Sequence, residues 1–276
     1  MKEVKGAHVP KSIDLNCDMG ESHGPYSLGE DARIMPHITS ASIACGFHGG
    51  DPLVMRKTVQ LAKEHGVSIG AHPGYPDLMG FGRRMLHTFK GEIEAYVLYQ
   101  MGALDAFVRA AGLSLSYVKP HGALYNHVAQ NAEAARELIG AIRAYDPRLF
   151  LYMLSGSLCA AMAREAGVRV IGEAFPDRAY LKNGSLAPRG LQGAVIHERQ
   201  TVCSRVLQLV TESTLPTLDG STLSVEADTL CIHGDTPQAW KLAMDMKKTL
   251  LAHGMKVQAP GKLDKRSKNA AVPHTP

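Results

Sequence analysis

Polar and titratable side chains recur along the sequence at the ends of short β-prone segments. In the first of these segments Asp14, Asn16 and Asp18 alternate with apolar residues, so on a strand their side chains would share one face. Burying several unpaired polar groups is costly, and we therefore expect a ligand or mutual contacts to satisfy them. The other polar segment ends carry His48, His72, Lys119, His121, Glu173 and His233.

One chemistry that fits these residue types is binding of a divalent metal. A carboxylate and two imidazoles from neighbouring strands are suitable ligands, and Asp18, His48 and His72 are the predicted set. Their spacing matches no short metal-binding motif, so the identity of the ion stays open between Zn²⁺, Mn²⁺ and Mg²⁺.

A second chemistry is acid–base catalysis. The carboxylates of Asp14, Glu21 and Glu173 are candidates for activating water as general bases. Lys119 or a histidine would then stabilise the developing oxyanion. The residue types alone do not choose between the two chemistries.

Positioning these groups requires a fold that brings strand ends together. Seven β-prone runs alternate with helical patterns, which predicts parallel β/α units. A closed (β/α) barrel and an open doubly wound sheet both fit. The sequence contains no G-x-x-x-x-G-K-[ST] phosphate loop and no G-x-G-x-x-G after its first strand, which disfavours P-loop and Rossmann folds.

Helix boundaries follow from the same pattern. Asp51-Pro52 predicts the start of a helix that Gly66 ends, and Thr236-Pro237 predicts the start of another that Gly254 ends. A third helix is predicted at about residues 90 to 111.

The predicted organisation is one barrel domain over residues 13 to 258, with a small hairpin insertion near 213 to 226. The first 12 residues are expected to be flexible, and the polar segment 259 to 276 to be disordered.

Composition excludes several classes of function. The formal net charge is +4, of which +3 lies after residue 260, so the body of the chain has no excess of basic residues for nucleic acid. Five cysteines without a C-x-x-C pair are typical of a reducing compartment, and no run is apolar enough to span a membrane. We expect a cytoplasmic protein.

Several long stretches resemble the LamB/YcsF family, which supplies the A subunit of bacterial ATP-dependent 5-oxoprolinase. The resemblance runs from about residue 13 to 255, and its main segments are IDLNCDMGES (13–22), DARIMPHITSASIACGFHGGDP (31–52), IGAHPGYPDLMGFGRR (69–84), YVKPHGALYN (117–126), DRAY (177–180) and CIHGDTP (231–237).

The resemblance implies a seven-stranded (β/α) barrel related to the polysaccharide deacetylases. It also implies hydrolysis of 5-oxoproline to glutamate with cleavage of ATP, which would be bound together with partner subunits B and C. By analogy with the deacetylases, the metal ligands would be Asp18, His48 and His72. The residues that we predict to be catalytic also match family positions, although the resemblance gives them no specific role: Asp14, Asn16, Glu21, Lys119, His121 and Glu173.

Two alternatives remain at this point. One is a metal-dependent deacetylase or amidohydrolase that acts alone. The other is a non-catalytic protein that binds a lactam or a carbohydrate, although so many charged groups exceed what recognition of a neutral ligand needs.

Overall fold

The β-prone runs form ten strands within residues 12 to 262, the part of the chain that the computed structural model describes. Seven of them are parallel neighbours in a barrel, two form a separate hairpin, and the last pairs with the start of the first. In chain order they are β1 (Ser12–Met19), β2 (Ser40–Ala44), β3 (Ser68–His72), β4 (Tyr117–Val118), β5 (Phe150–Leu154), β6 (Arg169–Ala174), β7 (Thr214–Pro216), β8 (Thr222–Ser224), β9 (Thr229–Ile232) and β10 (Lys256–Val257).

Strand β9 closes the barrel. Its residue Thr229 pairs with Glu173 of β6 on one side and with Asp14 of β1 on the other. The remaining neighbours follow chain order from β1 to β6, and all these pairings are parallel. The prediction of a seven-stranded (β/α) barrel is confirmed, and the open sheet that the pattern also allowed is excluded.

Helices cover the outside of the barrel and begin largely where the sequence predicts. Asp51 caps α2 by accepting hydrogen bonds from the backbone N–H groups of Leu53 and Val54, and Gly66 ends the helix in the left-handed conformation. The helices are α1 (Asp31–Ile34), α2 (Pro52–His65), α3 (Glu92–Ala110), α4 (Gly122–Gln130), α5 (Ala132–Tyr145), α6 (Leu158–Glu165), α7 (Arg199–Glu212) and α8 (Ala239–Ala252).

The last helix is present, but it begins about two residues later than Thr236-Pro237 predicts. Helix α8 begins at Ala239, after Gln238 adopts a left-handed conformation with φ 58°. The preceding residues instead form a turn over the barrel mouth, where the Asp235 carboxylate accepts from Arg83 at 2.6 Å.

The barrel has an apolar outer layer and a polar interior. Along β1, Ile13, Leu15, Cys17 and Met19 are buried in the main hydrophobic core, and the alternate face of the strand carries the polar residues. Inside, the rings of Tyr117 and Tyr152 stack 3.8 Å apart. A Cβ at Gly70 would lie 2.2 Å from the Tyr117 ring, so this packing requires glycine there.

The hairpin β7–β8 lies within the insertion predicted near 213 to 226 and pairs Leu215 with Leu223. Of the residues predicted to be flexible at the N-terminus, only Ser12 is described, as the first residue of β1. Of the predicted disordered tail, residues 259 to 262 are described and include a short 3₁₀ helix, Pro260–Lys262, while the rest lies outside the described residues. None of the described helices is long and apolar enough to cross a membrane.

Candidate active site

The carboxyl ends of the strands open into a cavity of about 430 Å³. This is the end at which (β/α) barrels carry their functional groups. The charged and imidazole side chains that line it are Asp18, Glu21, His72, Arg83, Lys119, His121, Arg178, Arg189, His233 and Asp235.

Three histidines and a glutamate form a buried cluster beside this cavity. One ligand atom from each of Glu21, His48, His72 and His121 lies within 4.8 Å of all the others. Glu21 Oε1 is 3.3 Å from His48 Nε2 and 3.5 Å from His121 Nδ1. The imidazole rings of His48 and His121 stack in parallel with 3.7 Å between their centroids. We call these four residues the histidine–glutamate cluster.

Backbone carbonyls fix the protonation pattern of two of these histidines. His72 Nδ1 lies 2.7 Å from the Lys119 carbonyl oxygen, and His121 Nε2 lies 2.8 Å from that of Phe81. Carbonyl oxygens only accept, so these nitrogens carry the protons. In the neutral rings, His72 Nε2 and His121 Nδ1 then present lone pairs to each other across 3.0 Å. A cation is needed between them to make this arrangement favourable.

The surroundings of His48, His121 and Glu21 disfavour the charged form of each of these three groups. Burial, reinforced by the nearby His72, lowers the pKa of His121 well below its ordinary value. Burial and His121 do the same to the pKa of His48. Burial, with Asp18 close by, raises the pKa of Glu21 well above its usual range. Each of these groups is therefore driven towards its neutral form as long as no other cation is present.

The cluster also leaves buried polar atoms unsatisfied. Glu21 Oε1 and both ring nitrogens of His48 have no hydrogen-bond partner in the described part of the chain. Such atoms are rare in native proteins and indicate an absent partner. Three imidazole nitrogens and a carboxylate, with carbonyls orienting two of the rings, fit a divalent transition metal such as Zn²⁺.

This grouping differs from the predicted metal set of Asp18, His48 and His72. The two histidines belong to the cluster, whereas Asp18 Oδ1 lies 3.4 Å from His72 Nε2 and only 2.8 Å from the Lys119 ammonium. Asp18 also groups with Cys231 and His233, within 4.8 Å, where Lys119 already supplies the positive charge.

Lys119 is the centre of the second buried network. Its ammonium lies 2.8 Å from Asp18, 2.9 Å from Glu173 and 2.9 Å from the side-chain oxygen of Asn16. Burial disfavours this charge, but Asp18 and the other acidic neighbours outweigh it and raise the pKa of Lys119 well above its ordinary value. Lys119 therefore remains a cation and stabilises negative charge at the cavity wall.

The other predicted catalytic residues lie at different depths. Glu21 and His121 line the cavity with Lys119. Asn16 and Glu173 lie behind Lys119, and Asn16 Nδ2 donates to Glu173 at 2.9 Å.

Asp14 lies deeper still. Its carboxylate accepts from Thr39, Ser40 and Thr229 at 2.6 to 2.8 Å, and it does not line the cavity. Its contacts are those of a residue that holds the barrel strands together.

The sequence predicts only one member of a histidine–aspartate pair at the mouth of the cavity. The strand pattern marks His233 as a strand-end residue but does not mark its partner Asp177, in the segment after β6. His233 Nδ1 donates to Asp177 at 2.6 Å, which leaves Nε2 as the basic nitrogen of the neutral ring. The ring stacks on Phe175 with 5.6 Å between centroids. No periodicity marks this segment, so only its DRAY motif points to it.

The loop between β3 and α3 covers the cluster. Asp77 binds the Arg84 guanidinium and accepts from the backbone of Gly80, so it braces this loop and does not line the cavity. Gly82 lies against the stacked rings, where a Cβ would be 2.7 Å from His48 and 2.8 Å from His121. The loop can seat on the cluster only with glycine at this position.

The sequence is similar to proteins from bacteria and archaea along nearly their whole length. The family model of the LamB/YcsF family matches residues 13–265. A protein of Syntrophobacter fumaroxidans, named as the A subunit of 5-oxoprolinase, is 56% identical over 248 residues, which cover 90% of this chain and 98% of that protein. The Pyrococcus furiosus protein of the same name is 49% identical over 249 residues, with 90% and 98% covered.

Solved structures agree with the fold. The crystal structure of a lactam utilization protein from Thermus thermophilus is 48% identical and superimposes with a TM-score of 0.85, covering 90% of this chain and 99% of that one. A putative cellobiose-phosphate cleavage protein from Enterococcus faecalis shares the fold at 14% identity, with a TM-score of 0.54 and coverage of 91% and 98%.

Proposed function

The chain belongs to the LamB/YcsF family, and from this premise we propose that it is the hydrolytic A subunit of an ATP-dependent 5-oxoprolinase. The reaction converts 5-oxo-L-proline to L-glutamate with cleavage of ATP. One observation carries the proposal: relatives that are 49 to 56% identical along 98% of their length are named as the A subunit of 5-oxoprolinase.

The reaction needs chemistry that the cavity can supply. Water must attack the lactam carbonyl, negative charge develops on its oxygen, and the ring nitrogen must receive a proton. The Lys119 ammonium, fixed at the cavity wall, is suited to stabilise the oxyanion. His233, oriented by Asp177, can accept a proton from the attacking water on Nε2 and pass it to the leaving nitrogen.

The histidine–glutamate cluster would hold a divalent metal through Glu21, His48, His72 and His121. Such an ion would polarise the carbonyl and lower the pKa of bound water. The cluster residues hold their nitrogens and carboxylate in place through the carbonyls of Lys119 and Phe81.

Asn16 and Glu173 act as positioning residues in this proposal. Both contact the Lys119 ammonium at 2.9 Å, and Tyr125 donates to Glu173 at 2.8 Å. They fix the ammonium without reaching the cavity themselves. Asp14 is assigned a structural role.

ATP and partner subunits complete the proposal. A five-membered lactam is a poor electrophile, and transfer of the terminal phosphoryl group of ATP to its amide oxygen, with release of ADP, would activate the ring carbon towards water. Departure of the protonated ring nitrogen would then leave an acyl phosphate, and its hydrolysis would give glutamate and phosphate. The sequence lacks a phosphate-binding loop, so we assign the ATP site to a surface shared with the B and C subunits. We place the assembly in the cytoplasm, because the five cysteines of the structure are unpaired.

The test is release of glutamate from 5-oxoproline, with and without ATP and with and without the candidate B and C subunits. Wild type is compared with His72→Ala and with His65→Ala, an exposed histidine of α2 that serves as control. We expect glutamate only in the complete mixture, and its loss only with His72→Ala. Absence of glutamate while the partners bind would reject the substrate. Hydrolysis of an N-acyl substrate without ATP or partners would support the stand-alone amidohydrolase.

A further inference from the structure

The outer part of the cavity carries a group of arginines that the proposed reaction does not use. Arg83, Arg178 and Arg189 all line it. Arg83 is paired with Asp235 at 2.6 Å. Among residues 12 to 262, neither Arg178 nor Arg189 has a carboxylate within ion-pair distance. The cavity therefore presents more positive charge at this wall than its own carboxylates neutralise.

Arg178 is the fixed member of the group. The residue is only 6% exposed, and its guanidinium donates through Nε to the Ala194 carbonyl at 3.2 Å and through Nη2 to that of Ala187 at 2.6 Å. These neutral acceptors orient the guanidinium plane but do not balance its charge. Neither hydrogen bond uses Nη1.

The environment of Arg178 is unfavourable for a cation on its own. Burial and, after it, the charge of Arg189 lower the pKa of Arg178 to about 10, although the carboxylate of Asp177 partly opposes this shift. A buried charge without a direct ion-pair contact is destabilising, and a ligand that supplies the opposite charge at this position would relieve the cost. A guanidinium matches a carboxylate or a phosphate group with two parallel hydrogen bonds.

We propose that Arg178, supported by Arg189 and Arg83, binds the carboxylate of the substrate. This inference rests on the proposed function, since 5-oxo-L-proline carries a carboxylate beside its lactam ring. Binding at Arg178 would leave the lactam to reach the part of the cavity lined by Lys119 and the histidine–glutamate cluster. Arg178 is thus the residue that selects an acidic lactam over a neutral one.

The experiment varies the ligand and the protein together. Assembled subunits without ATP are titrated calorimetrically with 5-oxo-L-proline and with its carboxamide, which has the same shape but no charge. For wild type we expect the carboxamide to bind about tenfold to a hundredfold more weakly, as for loss of a charge-assisted hydrogen bond. Arg178→Lys and Arg189→Gln should both reduce the ratio of the carboxamide's Kd to that of the acid. The reduction should be larger for Arg178→Lys.

The matched control is Arg148→Gln, an exposed arginine paired with Asp146 away from the cavity. It should leave the ratio unchanged. Equal binding of acid and amide by wild type would overturn the inference, as would an unchanged ratio in both cavity variants with normal circular dichroism. Because Arg189 is exposed, its variant tests the idea even if Arg178→Lys fails to fold.

Two further arms separate the sources of the anion and the two proposals. Inorganic phosphate is added as a competitor. If Arg178→Lys weakens the binding of phosphate but not that of 5-oxoproline, the carboxylate assignment is overturned. Glutamate formation in the complete mixture with an unchanged acid-to-amide ratio would reject this inference and leave the proposed function intact. Absence of both glutamate and 5-oxoproline binding would reject the proposed function as well.

Discussion

Replacing Lys119 by methionine tests the buried ion network, because methionine keeps most of the side-chain length and removes the charge. Lys119 is only 2% exposed, and its ammonium lies 2.8 Å from Asp18 and 2.9 Å from Glu173. Removal of one partner from a buried pair destabilises a protein by about 3–5 kcal/mol. Glu173 keeps its hydrogen bonds from Asn16 and Tyr125, so we expect a loss near the lower end, about 3 kcal/mol.

The assay is urea unfolding at pH 7, with a double variant as control. In Lys119→Met/Glu173→Gln one of the two unbalanced carboxylates is gone, so part of the lost stability should return. A loss below about 1 kcal/mol for the single variant, or no recovery in the double variant, would refute the reasoning.

The difference in stability between wild type and Lys119→Met should change with pH in a defined direction. Burial opposes ionisation of Asp18, but His72 and Lys119 outweigh it and lower its pKa well below the usual range. The stability that Asp18 contributes is therefore present above its unfolded pKa, about 3.9, and is lost as pH falls through the folded value. The difference between wild type and Lys119→Met should shrink as the solution is acidified, and a difference that grows would contradict this account.

Further predictions concern the loop, a helix cap and the metal. Gly82→Ala should lower activity and stability, since the added Cβ would clash with the Cβ of His48 and the ring of His121. Gly91→Ala, also at positive φ but with nothing within 4 Å, should cost stability without inactivating the enzyme, as measured by unfolding and glutamate release. Asp51→Ala should cost about 1 kcal/mol in urea unfolding, and Asn at the same position should retain most of the cap. Zn²⁺ or Mn²⁺ at a hundred times its Kd should stabilise wild type by about 2.7 kcal/mol in thermal unfolding but have little effect on His48→Gln; equal shifts would argue against the cluster as the metal site.

Strand ends were the most predictable part of the site. The alternation of polar and apolar residues in β1 placed Asp14, Asn16 and Asp18 on one face. Their hydrogen bonds to polar side chains inside the barrel bear this out. Alternation carries no information on depth, however. It could not tell that Asp14 faces Ser40 and Thr229 inside the barrel, away from the cavity.

For a related reason, the sequence could not predict which residues group together as candidate metal ligands. Glu21 lies past the end of β1, and the positions of His48 and His121 depend on loops that pack against each other through Gly82. The Asp177–His233 pair joins two segments 56 residues apart. The sequence around Asp177 shows neither a helical nor a strand period. Contacts of this kind follow from barrel closure and loop packing, which local pattern does not encode.

The most direct measurement of the central claim is the rate of glutamate formation by the complete assembly containing Glu21→Gln. This variant preserves the shape of the side chain and removes the carboxylate from the histidine–glutamate cluster. Its control is Glu64→Gln, an exposed glutamate of α2. We predict a fall of at least about 10- to 100-fold for Glu21→Gln with assembly intact, the loss typical of a perturbed metal site, and none for Glu64→Gln. An unchanged rate with Glu21→Gln would show that the hydrolysis takes place elsewhere.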